Sequence, residues 1–233
     1  MRKFLAAKWI DLVMANYEVD PGLLKSRVPS GTELDFHEGR CFVSLVGFMF
    51  FDTRVLGFPV PFHVNFEEVN LRFYVRRETA REIRRGVVFV KEIVPRYAIA
   101  TVARTLYGEP YQCWRMTNTR DHEKVEYSWQ RRKCTNSILV TRGESLGVPE
   151  ANSHGEFIIE HYWGYTRRSE HRTDEYKVEH PKWELYSAED PLIKVDFSGT
   201  YGHEFAFLSG EKPYSVLLAK GSEISVYKGE RIG

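Results

Sequence analysis

The chain has 233 residues, of which 42% are hydrophobic and 28% are charged. This composition is typical of a folded globular protein and excludes an intrinsically disordered chain. Lys plus Arg number 33 against 32 Asp plus Glu, so the formal charge of +1 provides no global field to attract nucleic acid or an anionic membrane. The length suits one large domain, and we expect a single domain over residues 1–233.

Cysteine usage and targeting features favour the cytoplasm. Cys41, Cys113 and Cys134 lie far apart and include no C-x-x-C pair, so we expect reduced thiols. Residues 1–14 are only briefly apolar, which fits neither a signal peptide nor a spanning helix, and no run of about 18 apolar residues occurs. We expect a cytoplasmic protein with no nucleic-acid or membrane partner, and a homo-oligomer remains open.

The first predicted elements are a short helix and a buried strand. Asp20 is placed to cap a helix with Pro21 at its first position, and Pro29 requires that helix to end by Val28. From residue 41 to 51 both alternating faces are apolar, a pattern shared by a fully buried strand and a buried helix. The aromatic content of this run favours the strand.

The segment from Phe66 to Val75 is the most informative piece of the sequence, within a strand predicted over 64–76. In an extended chain, positions 69, 71, 73 and 75 form an apolar face. The opposite face carries a row of polar side chains, namely Glu68, Asn70, Arg72 and Tyr74. Such a row either faces water or lines a polar cavity inside a closed sheet. We favour the cavity, because the neighbouring predicted strand is apolar on both faces.

A second strand and the clearest helix follow. Residues 86–93 are rich in β-branched and aromatic side chains and predict a strand. Between Pro95 and Tyr107 the apolar residues recur every three or four positions, which predicts an amphipathic helix. Gly108 and Pro110 then end it.

The second half alternates short elements with turns. Residues 124–132 alternate cleanly between apolar and polar side chains, which predicts a half-exposed antiparallel strand. Ser153 and Glu156 fit a capping box before a short helix that should end near Gly164. Further short strands are predicted at about 162–167, 175–180, 183–188, 192–198, 214–219 and 223–228.

Many strands, few helices and no βαβ rhythm predict an α+β protein that is mostly antiparallel β, with a curved or closed β-barrel and a few short helices. Polar groups that point into such a barrel must hydrogen-bond to one another or to a ligand.

The order of segments resembles the YqjF-like family of uncharacterised bacterial proteins. The resemblance rests on the strand 66–75, on Gly86 to Phe89, on the run from Ala103 to Tyr111, on early residues such as Trp9 and Tyr17, and on the late His180-Pro181-Lys182-Trp183. It spans about residues 5–190 and implies a fold similar to that of acetoacetate decarboxylase, without an established activity.

The relation to the decarboxylases has a chemical consequence. Those enzymes place a Schiff-base lysine and a neighbouring lysine just after a Gly-aromatic-Pro turn, where mutual repulsion depresses the nucleophile's pKa. The matching turn here is Gly108-Glu109-Pro110, followed by Tyr111 and Gln112. On that alignment the imine chemistry is absent, whereas the strand carboxylate of the family corresponds to Glu68.

The candidate site residues follow from the polar row and from this turn. We assign Glu68 and Tyr111 as the candidate catalytic pair, and we assign ligand binding to Asn70, Arg72, Tyr74, Arg104 and Tyr107. Each of them could instead be a packed residue with its polar atoms satisfied. Lys91 shares an alternating face with Val87 and Phe89, where burial would lower its pKa, or it marks the exposed end of the strand.

No cofactor or metal is predicted. The eight histidines show no H-x-H or H-E-x-x-H spacing, and there is no nucleophile elbow, P-loop or dinucleotide fingerprint. Three functions remain: binding of a small anionic or carbonyl metabolite, acid–base catalysis by a lyase or hydrolase on a keto or enol substrate, and a structural or regulatory role. The structural role requires Glu68 and Arg72 to be fully paired with no cavity beside them.

Overall fold

The protein is described by a computed structural model over residues 2–59, 63–106 and 108–232, with the side chains of 102–106 outside the description. The strands are β1 Lys3–Val19, β2 Glu33–Leu34, β3 Cys41–Val55, β4 Phe58–Pro59, β5 Phe66–Glu78, β6 Ile83–Val94, β7 Tyr111–Cys113, β8 Arg115–Arg120, β9 Lys124–Arg131, β10 Cys134–Gly147, β11 Trp163–Ser169, β12 Arg172–Glu179, β13 Leu185–Lys194, β14 Ser215–Tyr227 and β15 Glu230–Ile232. The helices are α1 Tyr97–Leu106, α2 His154–Ile159 and α3 Phe197–Tyr201, with 3₁₀ turns at Pro21–Leu23, Lys25–Arg27 and His203–Ser209.

The described strands form one curved, mostly antiparallel sheet. Its order is β15-β12-β11-β6-β5-β3-β1-β14-β13-β10-β9-β8, and an additional pairing of β12 with β14 joins the path into a ring. That pairing is short, comprising Val178 with Val226 and Glu179 with Ser225. Only β11 with β6 and β6 with β7 run parallel within the described ranges. The predicted α+β class, with a curved sheet and few short helices, is confirmed.

The strand β5 separates two apolar clusters, because its alternating faces differ in chemistry. Val69, Leu71, Phe73 and Val75 belong to the larger cluster, together with Tyr127 and Trp129 of β9. Phe66 and Tyr74 belong to the second cluster, on the other face of the strand. Glu68 and Asn70 lie between them on this second face and are 2% and 1% exposed. The polar row is therefore turned inward, as predicted.

The continuation of the sheet through β9 covers the outer face of the ring. This explains why β3 is buried on both faces, as its sequence predicts. A Cβ atom at Gly47 in β3 would lie 2.7 Å from the Tyr127 ring, so the close approach requires glycine. Tyr127 also donates to the backbone oxygen of Asp11 at 2.9 Å.

Several predicted boundaries were wrong. The first predicted helix is a pair of 3₁₀ turns, although Asp20 caps the first turn and Val28 is extended. The helix α2 ends at Ile159, earlier than Gly164, while its Ser153 cap is confirmed. The runs predicted at 214–219 and 223–228 form the single strand β14, and 192–198 is divided between β13 and α3. The strand β1 was not predicted. Its backbone leaves the extended conformation at Asp11, whose φ is +54°, and this interrupts the alternation of its side chains between the two faces of the sheet.

Among the described residues, no helix combines the length and the apolar character that crossing a bilayer requires.

Candidate functional site

A cavity of about 190 Å³ lies on the polar face of β5. Most of its wall is apolar and aromatic, and the side chains that form this wall include Trp9, Phe48, Phe50, Phe66, Phe89 and Ile99. A polar end interrupts the wall, and it comprises Glu68, Asn70, Arg72, Glu92, Glu109 and Tyr111. None of the described residues that line the cavity is a lysine. The carboxyl, amide, guanidinium and phenol groups of the cavity are therefore gathered at its polar end.

Two of the predicted residues hold Glu68 at this polar end. Tyr111 donates from its hydroxyl to Glu68 Oε2 at 2.9 Å, and Asn70 Nδ2 donates to Glu68 Oε1 at 2.9 Å. The strand β7 brings Tyr111 there by pairing in parallel with β6. The structure thus brings together the predicted pair Glu68 and Tyr111, which originate from separate parts of the chain.

A β-bulge in β6 decides which of its side chains enter the cavity. Leu71 pairs with Lys91 whereas Arg72 pairs with Phe89, so β6 carries one extra residue at this point. Val87 and Phe89 line the cavity before the bulge, and Glu92 lines it afterwards. An extra residue reverses the alternation of faces. Glu92 therefore points into the cavity.

The same bulge turns Lys91 away from the cavity, so the face predicted for it was wrong. Lys91 does not line the cavity, and its Nζ donates to the backbone oxygen of Thr200. The ammonium also lies 5.8 Å from the centre of the Trp114 ring. Burial and the nearby arginines lower the pKa of this half-buried amine, yet its position gives it no access to the site.

The turn after α1 supplies a third carboxyl group. Glu109 is 5% exposed, and its Oε1 accepts from Thr166 Oγ1 at 2.5 Å and from the Tyr176 hydroxyl at 2.9 Å. Tyr176 reaches Glu109 by crossing the backbone of Gly164, where a Cβ atom would lie 2.1 Å from Tyr176 Cζ. The turn Gly108-Glu109-Pro110 therefore provides a buried acid at this end of the cavity.

Burial raises the pKa values of these three carboxyl groups. Desolvation is the main cause for Glu68 and Glu109, and it raises the pKa of each to about 7 despite their hydrogen bonds. The pKa of Glu92 rises well above its usual range through desolvation, with added repulsion from Glu109 and Glu68. Burial and the carboxylates of Glu68 and Glu92 keep the pKa of Tyr111 well above its usual range. At neutral pH the cluster therefore holds exchangeable protons, and Tyr111 remains a donor.

Arg72 is the arginine that lines this cavity among the described residues. Its Nη2 makes two long contacts, 3.7 Å to Met14 Sδ and 3.4 Å to the Ile158 oxygen. Its Nε is buried without a hydrogen-bond partner. The ion pairs of the described residues do not include Arg72, although its charge acts on the nearby Glu68 carboxyl and lowers the pKa of that group.

His161 also lines the cavity. Its Nε2 lies 3.4 Å from Asp35 Oδ2, and Asp35 also accepts from Arg85 Nε at 2.6 Å. Burial lowers the pKa of His161 to about 4, in spite of Asp35. The imidazole ring is therefore neutral at pH values near 7 and lines the cavity as an uncharged hydrogen-bonding group.

The other predicted ligand-binding residues lie elsewhere or outside the description. Tyr74 shares the inward face, but it packs against Phe157 and its hydroxyl lies 2.6 Å from Ser44 Oγ, so it does not line the cavity. Tyr107 lies outside the described residues, as does the side chain of Arg104.

Sequence reasoning missed two of the three acids. Neither Glu92 nor Glu109 is among the site residues predicted from the sequence. The turn Gly108-Glu109-Pro110 was a usable signal for Glu109, because the resemblance read from the sequence matches this carboxylate to an aromatic residue of the decarboxylase turn. The described part of the chain contains no group of three or more His, Cys, Asp or Glu side chains arranged to hold a metal ion.

The comparisons with known proteins now identify the family. The DUF2071 family, described as an uncharacterized conserved protein, matches residues 6–223. The chain belongs to this family. A relative of known sequence is the uncharacterized protein YqjF of Bacillus subtilis (strain 168), 27% identical over 200 residues that cover 83% of this chain and 80% of the relative.

Two solved structures share the fold. Acetoacetate decarboxylase from Legionella pneumophila superposes with a TM-score of 0.69 at 12% identity, over 100% of this chain and 88% of that chain. The enduracididine biosynthesis enzyme MppR, complexed with the condensation product of pyruvate and imidazole 4-carboxaldehyde, gives 0.67 at 13% identity, over 99% and 90%. These superpositions show an acetoacetate decarboxylase-like fold for this DUF2071 protein, and the resemblance read from its sequence is confirmed.

Proposed function

We propose that the cavity binds a small organic anion, with Arg72 holding its carboxylate and the aromatic wall holding its apolar body. The observation that carries this proposal is the state of Arg72, which lines the cavity with a buried, unpartnered Nε. A charged group that is removed from water requires a counter-ion or full hydrogen bonding. Arginine is suited to carboxylates because it offers paired donors.

Glu68 supplies only part of that counter-charge: the charge of Arg72 lowers the pKa of the Glu68 carboxyl, but the described ion pairs do not join the two side chains. Its two oxygens already accept from Tyr111 and Asn70, and its pKa of about 7 leaves it partly protonated at neutral pH. The purely structural alternative required Glu68 to pair fully with Arg72 and no cavity beside them. The absence of that ion pair among the described contacts and the cavity itself favour a ligand.

The size of the cavity limits the ligand. A volume of about 190 Å³ slightly exceeds the ~150 Å³ of a protein cavity that holds benzene. The ligand class to test first is a carboxylate that also carries a carbonyl group, because the MppR complex contains a product of pyruvate. We propose no imine step, since the resemblance places Tyr111 and Gln112 where the decarboxylases have lysines.

Calorimetry with pyruvate, acetoacetate and phenylpyruvate tests the binding proposal. The wild type is expected to bind at least one of them, and Arg72→Met is expected to weaken that binding at least about tenfold, since charged hydrogen bonds are lost. Arg76→Met is the matched control, because Arg76 lies on the same strand but pairs with Glu33 at the surface. Equal affinities of the wild type and Arg72→Met would refute the role of Arg72.

Acid–base catalysis is a second candidate, and the hydrogen bond between Tyr111 and Glu68 favours it. In this reaction the Glu68 carboxylate removes a proton from the carbon next to the ligand's carbonyl group, and Arg72 stabilises the resulting enolate oxygen. Returning a proton from Glu68 to that carbon restores the ketone, so atoms and charge balance. A carboxyl group with a pKa of about 7 is suited to both steps near neutral pH.

Proton NMR in D₂O measures this exchange directly as loss of the α-proton signals of the keto acids. The expected result is that Glu68→Gln abolishes the exchange and Tyr111→Phe slows it, while Arg76→Met leaves it intact. Borohydride treatment with each keto acid separates this mechanism from imine chemistry. Exchange that persists in Glu68→Gln, or a reduced adduct on a lysine, would exclude the proposed step.

A further inference from the structure

Two buried oxygen atoms at the polar end of the cavity lack hydrogen-bond partners. They are Asn70 Oδ1 and Glu92 Oε2, on residues that are 1% and 2% exposed. Asn70 and Glu92 are paired directly across β5 and β6. Directly opposed residues have Cβ atoms about 5 Å apart, so the two side chains are neighbours.

The amide nitrogen of Asn70 already has a hydrogen-bond partner. Its Nδ2 donates to Glu68 Oε1 at 2.9 Å, which leaves the amide oxygen as the unpartnered atom of this side chain. Both residues line the cavity. Two neighbouring acceptors that share no donor are costly in a buried site, because each loses its hydrogen bonds to water. Tyr111 also interacts with the Glu92 carboxyl and lowers its pKa, but its hydroxyl proton is donated to Glu68 Oε2. A proton donor for Asn70 Oδ1 and Glu92 Oε2 therefore comes either from an occupant of the cavity or from a proton on Glu92 itself.

A donor without an acceptor lies nearby on the same face of β5. Arg72 is two residues from Asn70, a separation of about 7 Å along a strand, and its Nε is a donor without an acceptor. The polar end of the cavity thus presents a free donor at Arg72 and free acceptors at Asn70 and Glu92. Its complement is a molecule that offers an acceptor group and a donor group a few bonds apart.

We infer that the ligand is a small carboxylic acid that bears a hydroxyl or ammonium group next to its carboxylate, with the carboxylate on Arg72 and the donor on Asn70 and Glu92. This inference rests on the proposed function and narrows its ligand class. Burial and the neighbouring carboxylates raise the pKa of Glu92, so a proton on Glu92 competes with the ligand donor.

A set of four matched compounds tests the inference in the unmodified protein. The compounds 3-phenylpropanoate, 3-phenyllactate, phenylalanine and phenylpyruvate share a carboxylate and an aromatic body and differ only at the second carbon. Propanoate, lactate, alanine and pyruvate repeat the comparison without the ring. Calorimetry is expected to show that the hydroxyl or ammonium compound binds at least about tenfold more tightly than the compound with neither group. The two donor compounds distinguish a neutral group from a cationic one.

Glu92→Gln tests the assignment of the preference to these two oxygens. Glutamine keeps the shape of the side chain, and its amide N–H can donate to Asn70 Oδ1, so the preference is expected to fall to about threefold or less. Thermal melting of this variant checks that it folds. A preference that is unchanged in Glu92→Gln overturns the inference, as does equal binding of 3-phenylpropanoate and 3-phenyllactate by the wild type.

The same binding measurements test the carboxylate site at Arg72 and the donor site at Asn70 and Glu92 separately. If 3-phenylpropanoate binds in a manner that depends on Arg72 but the donor compounds have no advantage, the carboxylate site stands and the donor site is wrong. If none of the eight compounds binds to the wild type, both the carboxylate site and the donor site are refuted.

Discussion

Replacement of Glu68 by glutamine is expected to change how the stability of the protein depends on pH. The buried Glu68 carboxyl has a pKa of about 7 in the folded protein against an ordinary value of 4.5. Because the folded-state pKa is the higher one, folding favours the neutral form. Its stabilising effect is complete below a pH of about 4.5 and is lost as the pH rises through about 7.

The size of the effect follows from the shift in pKa. The difference between a pKa of about 7 in the folded protein and 4.5 in the unfolded chain corresponds to roughly 3 kcal/mol. Glutamine is neutral at every pH, so the free energy of unfolding of Glu68→Gln minus that of the wild type should rise by roughly 3 kcal/mol from pH ~4 to pH ~8. Glu68 also raises the pKa values of Glu92 and Glu109, so its removal adds an effect in the same direction.

Urea denaturation followed by tryptophan fluorescence over this pH range measures the difference. Burial lowers the pKa values of His154, His161 and His180 to about 4, which destabilises both proteins at acid pH and cancels in the comparison. Glu78→Gln is the matched control, because Glu78 lies at the exposed end of the same strand. Its difference from the wild type should stay within about 0.5 kcal/mol. A flat or falling difference for Glu68→Gln would refute the reasoning about its burial.

Three further substitutions test the packing that supports the site, with urea denaturation as the measurement in each. Gly164→Ala places a Cβ atom 2.1 Å from the Tyr176 ring, and we expect a loss of about 1–3 kcal/mol; an unchanged midpoint would show that the ring moves freely. Glu175→Ala removes a carboxylate that is 2% exposed and paired with two arginines at 3.1 and 2.6 Å, and the expected loss is about 3–5 kcal/mol. A loss below about 1 kcal/mol would mean that these pairs act as surface pairs. Ser153→Ala removes the oxygen that caps α2 through Glu156 N at 3.2 Å and should cost about 1 kcal/mol, whereas no loss would assign the helix start to other contacts.

The inward direction of the polar row could be predicted from the sequence, because strand periodicity is a local property. Alternation in 66–75 assigned Glu68, Asn70 and Arg72 to one face, and the apolar run at 41–51 indicated that the neighbouring strand was buried on both sides. The amphipathic pattern that predicted α1 and the cap at Ser153 are equally local, and both predictions are confirmed.

The composition of the site was decided by tertiary structure. Strict alternation placed Lys91 on the face of Val87 and Phe89, but the extra residue in β6 turns Lys91 away and turns Glu92 inward. A bulge depends on the pairing of two strands, and no residue pattern within one strand fixes it. Glu109 likewise becomes a buried acid only because Thr166 and Tyr176 approach it from β11 and β12. The sequence by itself determined which side of β5 is polar. The register between distant strands determined that three acids, and no lysine among the described residues, line the polar end of the cavity.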